Sequence, residues 1–355
     1  MHQEENTEFE ESRTEPTLPE EEIAEEKPIE EPGEWERNLI DISPITLAVE
    51  QVKTELRKVI VGQEQMTDLL LVALFTNGHV LLEGVPGIAK TLTAKLMAQT
   101  LKAEFSRIQF TPDLMPSDVV GTTVFNLKNS EFNFNPGPIF ANVVLIDEIN
   151  RAPAKTQAAL FEVMEEYQVT VDGTTHPVPT PFFVIATQNP IEQEGTYKLP
   201  EAQLDRFLLK INMEYPKLEE EKAILERFSE DFSMTVKKTV KTVFSTAKIA
   251  SCRKLIEQVR IRKELLDYIA AIVHRTRNHP DLYLGASPRA SLAILKTSKA
   301  IAAMRGRDFV TPDDIQYMAY PVLNHRIILT PEREMEGYVA RDVINEIVKS
   351  VEVPR

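Results

Sequence analysis

Cysteine, paired histidines, long apolar runs and basic charge near the start are what this chain lacks, and each absence removes a class of function. A single cysteine, Cys252, in 355 residues excludes an internal disulfide framework and a zinc site built from several thiolates. The six histidines (His2, His79, His176, His274, His279 and His325) are scattered, without the HExxH or paired-ligand spacing of a metal centre. No apolar stretch approaches the roughly 18–20 residues of a membrane span. The acidic start also lacks the basic residues and apolar stretch of a secretory leader. The expectation is a soluble, cytoplasmic protein without membrane insertion.

Charge is unevenly distributed. The whole chain nets −15, from 40 Lys+Arg and 55 Asp+Glu. Residues 1–36 hold 15 of those acids and only Arg13 and Lys27, whereas Arg37 to Arg355 holds 38 bases and 40 acids. The low pI therefore describes one segment, and the remainder is almost neutral. Glu- and Pro-rich text over residues 1–42 has too little to bury to offset its ordering entropy, so a disordered acidic tail is expected there.

From Ser43 onward the sequence is globular, and its length suggests two domains. Residues Leu47–Ile60 read as an amphipathic helix, and a second helix ends near Asn77-Gly78. Short apolar runs then alternate with helices: His79–Leu82, Phe105–Phe110, Val143–Ile146, Phe182–Ala186 and Phe207–Ile211. Continuous β-branched runs separated by helices predict a parallel sheet covered on both faces, hence an α/β domain over 43–216. After Tyr215-Pro216 the strands are expected to stop. Helical patterns follow at Leu218–Phe228, Thr246–Gln258, Lys263–Arg277, Pro288–Ala303, Pro312–Ala319 and Glu332–Val351, giving a helical domain over 217–355.

Gly84-Val85-Pro86-Gly87-Ile88-Ala89-Lys90-Thr91 lies between a strand and a helix, which is the context a phosphate loop needs. Backbone N–H groups and the helix start would face a phosphate, Lys90 would reach its β/γ oxygens, and Thr91 would ligate Mg²⁺, with Leu92 following. Ala89 stands where the usual pattern has glycine. If the position needs positive φ, alanine costs about 1–2 kcal/mol; otherwise nothing is lost. Some 56 residues on, Val143–Ile146 ends in Asp147 and Glu148. Acids at the carboxyl end of a parallel strand sit where such sheets bind ligands. Asp147 would face hydrated Mg²⁺ and Glu148 would polarise an attacking water.

Three further residues carry open alternatives. Asn189, after the strand Phe182–Ala186, is either an ordinary turn residue before Pro190 or a partner for the γ-phosphate or the attacking water. Arg206, at a helix end, either complements the helix dipole or is an arginine finger offered to a neighbouring subunit. Arg289 follows Ser287-Pro288, so it falls in a helix's first turn, where the dipole disfavours a cation. An anion such as a nucleotide phosphate would suit both the guanidinium and the helix start.

These elements, in this order, resemble the MoxR family of AAA+ ATPases over residues 43–350. The phrases that match are Gly84–Thr91 with its Ala89, Ile146–Pro153, Ala186–Pro190, Leu199–Phe207 and Gly285–Arg289. The resemblance implies an αβα ATPase core with a five-stranded parallel sheet and an all-α lid, assembled as a hexameric homo-oligomer and using ATP and Mg²⁺. It further implies that Lys90 and Thr91 are Walker A residues, Asp147 and Glu148 are Walker B, and Asn189 is sensor 1. Arg206 would be the trans arginine finger and Arg289 the lid's sensor 2, holding the lid on the core in the γ-phosphate state. Val61, Gly62 and Gln63 would lie near the adenine.

Two insertions interrupt the core pattern, at about 111–142 and 168–181. The first carries Phe125, Phe132, Phe134 and Phe140; the second reads as a β-hairpin with an Asp172-Gly173 turn. In the family such insertions project toward the substrate side, although their aromatics could equally pack on the core. The implied activity is ATP-driven, chaperone-like remodelling of a protein partner, with a von Willebrand factor A domain protein as the expected one. A magnesium-chelatase-like motor subunit is the alternative. A nucleic-acid motor fits less well, because residues 111–142 hold Asp113, Asp118 and Glu131 against one base, Lys128.

Overall fold

The computed structural model describes residues 40–85, 87–128, 130–190, 197, 199–229 and 240–354. The acidic tail expected over residues 1–42 lies outside the described residues up to Leu39, and Pro86 of the phosphate loop lies outside them as well.

Two helices, α1 (Ser43–Arg57) and α2 (Glu64–Phe75), precede β1 (Val80–Gly84), α3 (Lys90–Thr100) and β2 (Phe105–Gln109). A short α4 (Pro116–Val120) leads into the pair β3 (Gly121–Asn126) and β4 (Glu131–Pro136). Then come β5 (Val143–Asp147), α5 (Ala154–Glu166), the pair β6 (Gln168–Val171) and β7 (Thr174–Pro177), and β8 (Phe183–Gln188). A one-turn α6 (Glu201–Leu204) precedes β9 (Leu209–Met213).

Strands β2, β5, β8, β1 and β9 lie side by side in that order, all parallel. Alternate side chains enter opposite faces. Val80, Leu82, Val143, Leu145, Ile185 and Ile211 join one apolar cluster, whereas Leu81, Val144, Ile146, Val184 and Ala186 join the other. Burial on both faces is why these strands read as unbroken apolar runs. Because all five strands run parallel, the loops that follow them gather at one rim.

Helices dominate the chain beyond Pro216: α7 (Leu218–Phe228), α8 (Thr246–Gln258), α9 (Lys263–Arg277), α10 (Pro288–Met304), α11 (Pro312–Leu323), α12 (Pro331–Met335) and α13 (Ala340–Ser350). Two details differ from the sequence-based expectation. Strands do not stop at Pro216, because β10 (Leu282–Leu284) and β11 (Ile328–Leu329) form a small antiparallel ribbon. The helix expected over Glu332–Val351 is two helices, because Gly337 at φ +83 turns the chain into the left-handed region and ends α12. This region shares the first apolar cluster, to which Ile249, Ile269, Ile294, Met318 and Ile344 contribute alongside the sheet residues.

The two insertions are ordered hairpins. Asp172 and Gly173 both take positive φ, +48 and +78, which suits the two-residue turn that their sequence predicts. Phe134 of β4 stacks on His176 of β7 with ring centroids 4.0 Å apart, so the hairpins brace each other. The insertion aromatics divide between the two expected fates. Phe140 packs against the core, whereas Phe125 and Phe132 face each other at 5.0 Å on the exposed hairpin.

Asp314 anchors the helical region. Its carboxylate is fully buried and accepts from Arg307 Nη1 and Nη2, both at 2.7 Å, from Arg305 Nη1 at 3.0 Å, and from Thr311 N at 3.0 Å. Burial alone would raise its pKa, but the hydrogen bonds from Arg307 and Thr311 outweigh it and hold the carboxyl below the ordinary aspartate value. A depressed folded-state pKa adds stability above the unfolded value that is lost as pH falls through the folded one. Asp314→Ala should therefore lower stability by about 1–3 kcal/mol at neutral pH, because it removes the buried acceptor of Arg307 and Arg305, whose part-exposed guanidinium groups regain water. In urea unfolding the gap between wild type and variant should shrink as the pH is lowered below about 4.

Candidate functional site

At the carboxyl rim of the sheet, β1 hands over to α3 through residues 85–89. Gly87 sits at φ +88, and a Cβ added there would meet nothing within 4 Å, so the loop leaves space on that side. Ala89 occupies the helix N-cap at φ +61, the left-handed region. The conditional cost read from the sequence therefore applies, and the loop holds an alanine where glycine would be unstrained. Lys90 begins the helix, and its Nζ donates to the Gly84 carbonyl at 2.7 Å, which folds the ammonium back over the loop.

Asp147 and Glu148 close β5 one strand beyond β8. Asp147 is buried and its oxygens are divided: Oδ1 accepts from the Thr187 hydroxyl at 3.2 Å, and Oδ2 accepts from Arg107 Nε at 2.6 Å, with Thr91 Oγ1 at 3.5 Å. Glu148 leaves the strand at φ +58, so its side chain departs from the direction that an extended chain would give it. Its Oε2 accepts from Gln109 Nε2 at 2.7 Å and lies 3.1 Å from Arg151 Nε. The Thr187 hydroxyl also accepts the Glu148 N–H at 3.0 Å, so one side chain of β8 orients both acids.

These groups enclose a cavity of 390 Å³ lined by Gly87, Ala89, Lys90, Thr91, Leu92, Arg107, Gln109, Asp147, Glu148, Thr187 and Asn189. The sequence-derived candidates Lys90, Thr91, Asp147, Glu148 and Asn189 thus meet in one place. Arg107, Gln109 and Thr187 were not singled out from sequence. Their signal was present in the polar residues Arg107 and Gln109 on alternate positions of β2, and in Thr187 near the end of the apolar β8.

Val61, Gly62 and Gln63 lie at the same rim. Gln63 Nε2 donates to the Glu214 carbonyl at 3.5 Å, one residue after Met213, whose strand pairs with Gly84. Gly62 sits at φ +68, where a side chain would be strained, and a Cβ there would push the Glu220 carboxylate aside. A neighbouring cavity of 540 Å³ runs from Gln63, Met66 and Leu69 past Asn212 to Tyr320 and Arg341.

Arg206 and Arg289 lie elsewhere. Glu165, in the last turn of α5, takes Arg206 Nη2 at 3.0 Å on Oε2 and Arg289 Nη2 at 3.1 Å on Oε1. Arg206 also donates to the Phe161 carbonyl at 2.8 Å. The pair lines a cavity of 290 Å³ with Gly78, His79 and Leu208, the residues that lead into β1 and β9. That is the amino rim of the sheet, the length of a five-residue strand, roughly 17 Å, from the phosphate loop. Arg289, expected from the resemblance to hold the lid on the core in the γ-phosphate state, stands beside Arg206 in this structure.

Arg326 explains that packing. Its guanidinium is buried between α11 and β11, where Nε donates to Asp205 Oδ1 at 2.7 Å and Nη2 to the Phe207 carbonyl at 2.6 Å. Ser287 Oγ, one residue before α10, donates to the other Asp205 oxygen at 3.2 Å. Behind this contact His79 is buried and neutral, with its pKa lowered to about 4 by desolvation. Its ring bridges the Val184 N–H and the Met164 carbonyl, at 3.1 Å each.

Both regions of the chain match known protein families. Residues 79–209 match the ATPase family associated with various cellular activities (AAA), and residues 274–347 match the AAA lid domain. YeaC of Bacillus subtilis is 47% identical over 315 residues, which is 88% of this chain and 96% of that protein. Chaperone MoxR1 of Mycobacterium tuberculosis is 43% identical over 316 residues, 86% of this chain and 82% of its own. A crystal structure of a protein from Cytophaga hutchinsonii superposes with a TM-score of 0.82 at 43% identity, covering 88% of this chain and 97% of that one.

The left-handed Ala89 yields a test of the loop itself. Ala89→Gly should relieve about 1–2 kcal/mol of backbone strain and give back part of it as unfolded-state entropy. The expected net result is a stabilisation of up to about 1 kcal/mol, read from the midpoint of chemical denaturation.

Proposed function

Because this chain belongs to the MoxR family of AAA+ ATPases, we propose that it couples hydrolysis of Mg-ATP, in an oligomeric ring, to chaperone-like remodelling or maturation of a partner protein. The observation that carries the reading is the carboxyl-rim cavity. A helix start, an invading lysine and two oriented carboxylates surround one space in an order suited to a triphosphate.

The donor set fits the groups it would receive. Backbone N–H groups of the loop and the start of α3 would hold the β- and γ-phosphates, and Lys90 would swing from the Gly84 carbonyl to their oxygens. The Thr91 hydroxyl and the Asp147 carboxylate are hard oxygen donors, close together, and would hold Mg²⁺ with water completing its shell. Bound there, the ion would neutralise charge developing on the transferred phosphoryl group. Arg107 neutralises Asp147 in this structure and is half-exposed, so it can withdraw. Glu148 would polarise the attacking water, with Gln109 and Arg151 setting its orientation. Asn189 would hydrogen-bond the γ-phosphate or that water.

Arg206 and Arg289 are assigned to the neighbouring subunit's nucleotide, since both lie at the rim opposite their own phosphate loop and keep solvent access. A ring closes such a head-to-tail contact, and a hexamer is the proposed assembly. Support for a protein partner comes from the β3–β4 hairpin, which exposes Val124, Phe125, Leu127 and Phe132. A von Willebrand factor A domain protein is the proposed partner. Among the described residues no helix is long and apolar enough to cross a membrane.

Two measurements test the reading. Glu148→Gln should bind ATP with wild-type affinity and hydrolyse it at least about 100-fold more slowly, the usual size of a general-base contribution; normal turnover would remove Glu148 from that role. Arg206→Ala should be nearly inactive alone, since a finger contributes on the order of 10³–10⁵ in rate. Mixed with Glu148→Gln subunits it should recover activity, because each variant supplies what the other lacks. No recovery at any ratio would show that Arg206 does not serve a neighbour.

A further inference from the structure

Glu165 and Arg289 are each placed against the preference of their own helix. Glu165 lies in the last turn of α5, where the dipole disfavours an anion, and Arg289 in the first turn of α10, where it disfavours a cation. Neither residue is there for its helix. They face each other across the seam between the sheet domain and the helical region, and Arg206 shares the same carboxylate.

From this geometry we infer that Glu165 is a positioning residue that holds Arg206 and Arg289 together as one paired cation for a phosphate outside this protomer. Two guanidinium groups brought side by side repel each other, and long side chains at a surface disperse unless something orders them. The Glu165 carboxylate does both jobs, because each of its oxygens pairs with a different arginine. The bridge engages Nη2 of each guanidinium and the Phe161 carbonyl engages Arg206 Nη1, so each five-donor group keeps further N–H donors for a phosphate. Both arginine side chains retain access to solvent, 31% for Arg206 and 58% for Arg289, so a phosphate can reach them without displacing Glu165.

The surroundings favour an anion. Around the same cavity Arg206, Arg289, Lys296 and Arg326 face Glu165 and Asp205, a surplus of positive charge after every acid has been matched. Arg206 is fixed from the sheet side by the Phe161 carbonyl, whereas Arg289 arrives on the helical region, which Arg326 and Ser287 fasten to Asp205. Glu165 is thus the point at which the two halves of the cation are set in register.

The role rests on the trans reading of Arg206 given above, and the test separates the two. Glu165→Ala should lower kcat for ATP about 10- to 100-fold, the usual loss for a residue that orients a reactive group, while KM stays within about twofold. Glu165→Gln, which keeps shape and one acceptor but no charge, should fall between wild type and Glu165→Ala. Mixing Glu165→Ala with Glu148→Gln subunits should restore turnover, as for Arg206→Ala mixed with Glu148→Gln. Adding Glu165→Ala to Arg206→Ala should cost less than Glu165→Ala costs alone, because only its hold on Arg289 then remains to be lost. Full or raised activity of Glu165→Ala would overturn the role, as would a loss that no mixture repairs while the Arg206→Ala mixture recovers. If the Arg206→Ala mixture also stays inactive, the trans reading is what fails, and the role of Glu165 falls with it.

Discussion

A single buried guanidinium joins the two halves of this molecule. Arg326 leaves α11 and donates to the Asp205 carboxylate and to main-chain carbonyls at Phe207 and Leu208, the segment that feeds β9. A charge taken from water is tolerated only when its donors are matched, and here they are. The orientation of the helical region follows from this contact, and so does the position of Arg289. Burial and the adjacent Arg289 lower the Arg326 pKa while Asp205 raises it, with burial the largest influence.

The sheet divides the labour between its rims. At the carboxyl rim, strand ends and a helix start gather backbone N–H groups, hydroxyls and carboxylates around one cavity. At the amino rim, cations collect around Glu165. The two sets of charged groups therefore stand a strand's length apart, on opposite rims of one sheet. Thr187 shows how little is needed to orient the acids: one hydroxyl donates to Asp147 and accepts from the Glu148 N–H.

Much of this was legible in the sequence because it is local. The phosphate loop announces itself through glycines between a strand and a helix, and the acids through their place after Val143–Ile146. The Asp172-Gly173 turn and the helix start at Thr311-Pro312 are equally local statements about backbone conformation. Non-local features were not readable. Glu165 is linked to Arg289, 124 residues away, and nothing near either residue names the other. The placement of Arg289 depends on how the helical region docks, which Arg326 decides through a contact 121 residues long. Gly337 was overlooked for a different reason: the apolar periodicity on either side of it continues, so only its left-handed φ reveals the break.

The apolar cluster on one face of the sheet runs without interruption into α8, α9, α10, α11 and α13. A hinge that swung those helices away would bare that surface to water at about 25 cal/mol per Å², so even a 200 Å² gap would cost about 5 kcal/mol. The seam behaves as a weld rather than a door. Sheet and helical region therefore move together as one stiff body.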